Sequence, residues 1–118
     1  MSYEPRKILN QFMEGLKSLG KSNKEATQSF MRLLGATYKP GALSTKDKEI
    51  LSVGISVYNR CEYCIVFHTY KALEAAATRD EILEAAMVGV AFGGGPTIAH
   101  SSTLFLSSLD EFEGDFNK

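Results

Sequence analysis

The chain has no tryptophan, only two cysteines and three prolines, and no apolar run that approaches the roughly 20 residues needed to cross a bilayer. Two cysteines are too few for the disulfide scaffold that holds many small secreted domains together. The chain also lacks a large excess of either charge, since 13 Lys and Arg balance 14 Asp and Glu for a net charge of −1. Because no basic stripe or cluster is present, we expect neither nucleic-acid binding nor attraction to an anionic membrane surface.

The first residues lack the charged-then-apolar layout of a signal peptide, so a cytoplasmic location is expected. In that reducing compartment a stable structural disulfide is disfavoured, and a Cys-x-x-Cys pair is typical of redox or metal chemistry. The length of 118 residues suits a single domain, residues 1–118, that buries its own core.

Helical periodicity runs through every substantial segment, and no convincing alternation of strand type is present. Three capping signatures open helices, and glycine or proline breaks separate the remaining segments. The signatures pair Ser22 with Glu25, Ser44 with Asp47 and Thr78 with Glu81, and the breaks fall at Gly20, at 39–41 and at 93–96. The sequence therefore predicts an all-α single domain of about six helices, with a polar tail from Glu111 that frays.

Two neighbouring predicted helices carry the chemically informative residues. The first, about residues 45–59, is apolar on nearly all sides, which is typical of a helix that is buried all round. The second runs from about Cys61 to Ala77 and holds both cysteines and one of the two histidines. These two helices are where a functional site is expected.

In the second of these helices, Cys61, Cys64 and His68 lie at positions i, i+3 and i+7, which share one face. A thiol reacts as its thiolate, so the chemistry needs a group that removes the proton or stabilises the anion. The helix N-terminus near Cys61 and the imidazole of His68, one turn beyond Cys64, could each do this. Glu49, on the edge of the buried stripe of the preceding helix, needs a partner, and His68 would supply one.

Glu49, Cys61 twelve positions later, Cys64 and His68 resemble the signature of AhpD-like alkyl hydroperoxidases of the carboxymuconolactone decarboxylase family. The resemblance covers roughly residues 25–105, including the glycine-rich break at 93–96. It implies an all-α fold and catalysis by these four residues. One cysteine would be oxidised by peroxide to a sulfenic acid, and the other would condense with it to a disulfide.

The resemblance also implies partners. Glu49 and His68 would form a proton relay, no cofactor would be needed, and an external dithiol on a lipoyl-carrying or thioredoxin-like protein would reduce the disulfide. Family members assemble as trimers or hexamers, so a homo-oligomer is expected. The decarboxylases of the family generally lack the cysteine pair, which favours the redox branch for this chain.

The roles of the two cysteines stay open. The position of His68 one turn beyond Cys64 favours Cys64 as the group that attacks peroxide, with Cys61 as its disulfide partner. The helix N-terminus favours the opposite assignment. In the best-known relatives a histidine precedes the second cysteine, whereas this chain has Tyr63, a poor base near neutral pH. The substrate is therefore less firmly indicated than the redox chemistry.

Three other functions are compatible with these residues. Cys61, Cys64 and His68 could bind Zn²⁺, with Glu49 or water as a fourth ligand. Glu49 and His68 could act as acid and base in a decarboxylase or lyase, with the cysteines incidental. The chain could also be a non-catalytic stress-response protein. His100 could approach the site, although packing or an interface is the favoured interpretation for it.

Overall fold

The computed structural model describes residues 3–117, so the predicted domain bounds 1–118 extend past the described residues at both ends. Within residues 3–117 the chain is helical and contains no strand. The elements are α1 (Pro5–Ser22), α2 (Lys24–Tyr38), α3 (Thr45–Asn59), α4 (Glu62–Glu74), α5 (Arg79–Gly93), α6 (Gly95–His100), a π-helical segment (Ser101–Phe105) and α7 (Leu106–Phe116). The last three form one continuous helical run, so the all-α domain of six helices is confirmed.

Two of the predicted capping signatures are present. The Ser44 hydroxyl accepts the Asp47 N–H at 3.0 Å and starts α3. At the start of α5, Thr78 Oγ1 accepts the Glu81 N–H, and the Glu81 carboxylate accepts the Thr78 N–H. Each bond satisfies a backbone donor that the first turn of a helix leaves without a partner.

The predicted signature of Ser22 with Glu25 is wrong. Helix α1 continues past Gly20 to Ser22, and Asn23 alone separates it from α2. The Asn23 N–H donates to the Leu19 carbonyl, and its side chain caps nothing. Gly20 is tolerated inside the helix because one glycine costs a helix only about 1 kcal/mol.

The core lies around α4, which packs against α1, α3 and α7. Its members are apolar side chains that α3, α4, α5 and the C-terminal helical run direct inward. The fully buried ones include Val53, Val57, Ile65, Val66, Ile82, Leu104, Phe105, Leu109 and Phe112. Burial of each such side chain contributes roughly 1.5–3 kcal/mol, so this layer fixes α4 against its neighbours.

Helices α3 and α5 cross in backbone contact. A Cβ added at Gly89 would lie 2.4 Å from the carbonyl oxygen of Gly54, and one added at Gly54 would lie 2.9 Å from that of Ala85. Only glycine permits this approach. Helix α3 is therefore held tightly between α4 on one side and α5 on the other.

The expectation that α3 is buried all round is wrong. Its buried face is partly polar and consists of Glu49, Ser52, Val53, Ser56 and Val57. On the opposite face Leu51 is 53% exposed and Ile55 is 61% exposed. The helix is therefore two-sided, with polar groups packed towards α4 and apolar groups left on the surface of the single chain.

The expected fraying from Glu111 is also wrong, because α7 continues to Phe116. Arg6 of α1 binds Glu111 at 2.7 Å and Asp115 at 3.0 Å, and it lies over the Phe112 ring. These carboxylates raise the pKa of the Arg6 guanidinium, with Asp115 as the largest cause. A residue near the start of the chain thus holds the last helix.

The site helix ends earlier than predicted, at Glu74 rather than Ala77, because Ala76 adopts a left-handed backbone with φ of 69°. No helix among the described residues is both long and apolar enough to cross a membrane.

Candidate functional site

The two cysteines lie at the start of α4. Arg60, with φ of 55°, ends α3 in the left-handed region, and Cys61 follows as the N-cap of α4. Its Sγ accepts the backbone N–H of Cys64 at 3.3 Å. Cys61 and Cys64 form a disulfide with their Cα atoms 5.2 Å apart, and both residues are partly exposed. The first turn of a helix thus holds the two sulfurs together.

Glu49 and His68 are in direct contact. The Nδ1 atom of His68 lies 2.8 Å from Oε1 of Glu49, which fits an N–H that donates to a carboxylate. The Glu49 side chain is 5% exposed and that of His68 is 18% exposed. A carboxylate so deeply buried needs a hydrogen-bonded partner, and the imidazole is that partner.

This contact has a chemical consequence for the imidazole. With Nδ1 bonded to Glu49, Nε2 is the ring nitrogen left for proton exchange. His68 follows Cys64 by one helical turn, so the two side chains share a face of α4. The structure therefore brings all four predicted residues to one region, while their catalytic roles stay a prediction.

Two aromatic side chains contact the His68 ring. Tyr38, the last residue of α2, stacks on it with ring centroids 5.8 Å apart and planes 18° apart. Phe67 presents an edge-to-face contact at 5.1 Å. Phe12 of α1 packs in turn on Phe67 at 5.5 Å. The imidazole thus lies against two aromatic rings, from α2 and α4, and Phe12 of α1 supports one of them.

Sequence reasoning missed Tyr38 and Ser52. The Tyr38 hydroxyl hydrogen-bonds to the hydroxyl of Ser52, which lies one turn after Glu49 on the buried face of α3. Ser52 could have been found as a polar residue in phase with Glu49. Tyr38 gave no such signal, because it is thirty positions from His68 along the chain and a proline-glycine break follows it.

Tyr63 and His100 have partners other than Glu49 and His68. The Tyr63 side chain is about half exposed, and its ring packs beside Phe12 at 6.2 Å. The Nδ1–H of His100 donates to the Pro96 carbonyl one turn earlier at 3.0 Å. This local helical contact agrees with the packing interpretation of His100.

The zinc hypothesis gains no support from the geometry. Among residues 3–117, no group of three or more His, Cys, Asp or Glu side chains is arranged to hold a metal ion. In the disulfide form the sulfurs of Cys61 and Cys64 are bonded to each other. The arrangement is instead suited to exchange between dithiol and disulfide.

Fold and site together define a class of protein, an all-helical domain in which one helix begins with a Cys-x-x-Cys disulfide. A histidine farther along that helix pairs with a buried glutamate of the preceding helix. The sequence model of the carboxymuconolactone decarboxylase family matches residues 24–105. The chain belongs to this family, and its fold is AhpD-like, as the residue pattern predicted.

Solved structures agree with this assignment. The chain is similar to a carboxymuconolactone decarboxylase family protein from Legionella pneumophila, with a TM-score of 0.88 and 31% identity over 92% of this chain and 96% of that one. It is also similar to a family member from Thermotoga maritima, for which involvement in an antioxidative response has been suggested. There the TM-score is 0.77 and the identity 29%, over 88% of this chain and 91% of that one.

A further relative is an uncharacterised protein of Cupriavidus necator, 32% identical over 85 residues, which are 72% of this chain and 75% of that protein. These similarities extend over most of each chain.

Proposed function

We propose that this chain is a thiol-dependent peroxidase that reduces hydroperoxides through a Cys61–Cys64 disulfide cycle with Glu49 and His68 as its proton relay. The observation that carries the proposal is that the sulfurs of Cys61 and Cys64 are joined as a disulfide, while one turn beyond Cys64 the imidazole of His68 is bonded to the buried carboxylate of Glu49. The antioxidative response suggested for the Thermotoga maritima relative points to the same chemistry.

The proposed cycle has three balanced steps. A thiolate attacks the peroxide ROOH and takes its terminal OH as the O–O bond breaks, which gives the enzyme a sulfenic acid. The alkoxide that departs takes up one proton and leaves as ROH. The second thiol attacks the sulfenic sulfur, forms the disulfide and releases water. An external dithiol then reduces the disulfide by two thiol exchanges and leaves as its own disulfide.

In this scheme Cys64 attacks the peroxide. Nε2 of His68 takes the thiol proton and returns it to the departing alkoxide, while Glu49 accepts the Nδ1–H and holds the ring in the required tautomer. Cys61, at the start of the helix and partly exposed, is the sulfur that the external reductant meets.

The first test uses reduced protein and one equivalent of peroxide. Thiol titration and intact mass should show the loss of both thiols and of two hydrogen atoms, with no added oxygen. Cys64→Ser should give no sulfenic acid, whereas Cys61→Ser should accumulate it at Cys64. The attack assignment is wrong if Cys64→Ser keeps peroxide turnover and Cys61→Ser forms no sulfenic acid. Unchanged thiols in the wild-type protein would refute the peroxidase function.

The reductant is proposed to be a lipoyl-carrying or thioredoxin-like protein in a reducing compartment such as the cytoplasm. Each offers a dithiol that can exchange with a partly exposed disulfide. Peroxide consumption coupled to a dihydrolipoyl protein, and separately to reduced thioredoxin, would identify the class. If neither dithiol supports turnover, this part of the proposal is wrong.

We also propose that the protein is a homo-oligomer, a trimer or a hexamer. An apolar groove of about 530 Å³ lies between α3 and α5, on the side of α3 opposite Glu49, and Phe92 at its edge is 80% exposed. Helix α2 has no buried residue, although it carries Phe30 and Leu33, both more than half exposed. So much apolar surface is unusual for a monomer.

Light scattering tests the assembly. The wild-type protein should have the mass of a trimer or hexamer, and Phe92→Glu should shift it towards smaller species. Gln11→Glu, at an exposed position of α1, adds the same single negative charge and is the matched control, which should leave the mass unchanged. A monomeric wild-type protein would contradict the proposal.

A further inference from the structure

We propose that Tyr38 is a positioning residue that holds the His68 imidazole in its Glu49-bonded orientation and shields that contact from water. This inference rests on the proposed function for its role in turnover, but the geometry behind it does not depend on peroxide. It concerns a residue outside the Glu49, Cys61, Cys64 and His68 pattern.

The Tyr38 backbone is fixed by side chains from the start of α3. Lys48 Nζ donates to the carbonyls of Thr37 and Lys39, at 2.9 and 2.6 Å. Thr45 Oγ1 donates to the carbonyl of Tyr38 itself at 2.8 Å. Three consecutive carbonyls at the end of α2 are thus held by the first turn of the helix that also carries Glu49.

The side chain of Tyr38 is fixed as well. Its hydroxyl is hydrogen-bonded to Ser52, and Ser52 Oγ donates to the Lys48 carbonyl at 2.8 Å. With the phenol anchored on α3, the ring lies nearly parallel to the His68 ring, 18° from it. The bonds to the backbone and the hydroxyl bond together hold the Tyr38 ring, and the face of that ring limits the plane in which the imidazole can lie, even where the hydroxyl is removed.

This degree of anchoring exceeds what packing of α2 requires. No residue of α2 is buried, so the helix contributes little to the core. Its last residue is nevertheless bonded to α3 through both backbone and hydroxyl and is placed on the imidazole. The Tyr38 ring on one face of the imidazole and the Phe67 ring at an angle to it restrict the χ2 angle of His68. Without such neighbours this angle takes a broad range of values.

Loss of the Tyr38 ring should therefore weaken the preference of His68 for the Nδ1–H tautomer. Once the face of the imidazole is open, water can compete with Glu49 for Nδ1–H, and the neutral ring then exchanges between its two tautomers. The consequence for chemistry is a misplaced Nε2, and small displacements of a reacting group cost large factors in rate.

The test is ¹⁵N NMR of the imidazole nitrogens in reduced protein, which separates the Nδ1–H from the Nε2–H tautomer. The chain has two histidines, so His100→Gln assigns the signals. Wild type and Tyr38→Phe should show a single Nδ1–H tautomer for His68. Tyr38→Leu should show averaged tautomers and a fall in the rate of peroxide-driven disulfide formation of about tenfold.

Tyr70→Leu is the matched control. Tyr70 packs on Phe112 and Phe116 away from His68, so its loss removes a ring and some stability but should leave the His68 signals unchanged. If Tyr38→Leu does not fold, Tyr38→Met, which fills similar space without a ring face, is measured in the same way.

A wild-type tautomer pattern in the folded Tyr38→Leu or Tyr38→Met variant would overturn the inference and leave Tyr38 as a packing residue. If the wild-type protein does not react with peroxide, the proposed function fails, yet the NMR result still decides the role of Tyr38.

Discussion

Replacement of Glu49 by glutamine is the sharpest test of the relay, because it removes a charge and preserves the shape of the side chain. The glutamine oxygen can still accept the Nδ1–H of His68, so the fold and the ring orientation should survive. Only the stabilisation of the imidazolium that forms as His68 takes a thiol proton is lost. The variant thus separates the charge of Glu49 from its hydrogen bond.

The magnitude follows from the burial of the pair. The Glu49 side chain is 5% exposed and its bond to His68 is 2.8 Å long, so solvent screens the interaction little. Hydrogen bonds to charged groups contribute about 1.5–3 kcal/mol, and a loss of about 2 kcal/mol corresponds to a rate about thirtyfold lower. We expect that factor in the rate at which reduced protein forms its disulfide with peroxide.

Two controls make this measurement decisive. Glu74→Gln removes an exposed carboxylate at the end of α4, where it pairs with Lys71, and should leave the rate unchanged. The double variant Glu49→Gln with His68→Gln should be no slower than His68→Gln alone, because Glu49 acts through His68. A wild-type rate for Glu49→Gln, or additive losses in the double variant, would refute the relay.

Two predictions concern stability. Gly89→Ala should lower the free energy of unfolding by about 1–3 kcal/mol, because its Cβ would meet the Gly54 carbonyl oxygen at 2.4 Å. Gly15→Ala is the control and should not destabilise the fold, because a Cβ there has nothing within 4 Å. Equal melting temperatures for Gly89→Ala and the wild type would contradict the close crossing. The pKa of Glu81 is lowered first by the Thr78 N–H, so the stabilisation from its carboxylate is complete above its ordinary pKa of 4.5 and is lost as the pH falls through the lower folded value. Glu81→Gln should therefore show a smaller fall in melting temperature between neutral and acidic pH than the wild type, and identical falls would count against this account.

Local chemistry made part of the fold predictable. The cap of Ser44 and the capping box of Thr78 with Glu81 depend on residues three positions apart, so the sequence alone contains both partners. Glu49 and His68 could be related in the same way, since a carboxylate at the edge of a buried stripe needs a partner and the next helix offers one.

Contacts between distant segments were not predictable in this way. The C-terminal helix looks like a polar tail, but Arg6, more than 100 positions away, supplies its counter-charge. Tyr38 contacts His68 although a break and the whole of α3 separate them along the chain. The exposed face of α3 looked like core because a sequence pattern records how apolar a face is, and not what covers it.

The capping role of Cys61 gives the molecule a built-in spectroscopic reporter. The backbone N–H of Cys64 donates to the Cys61 sulfur, so its chemical environment follows the state of that sulfur. A thiolate accepts such a bond more strongly than a disulfide sulfur does. The ¹H–¹⁵N signal of this single amide should therefore differ between oxidised and reduced protein, so that the first turn of α4 could be followed in real time without any added label on the thiols.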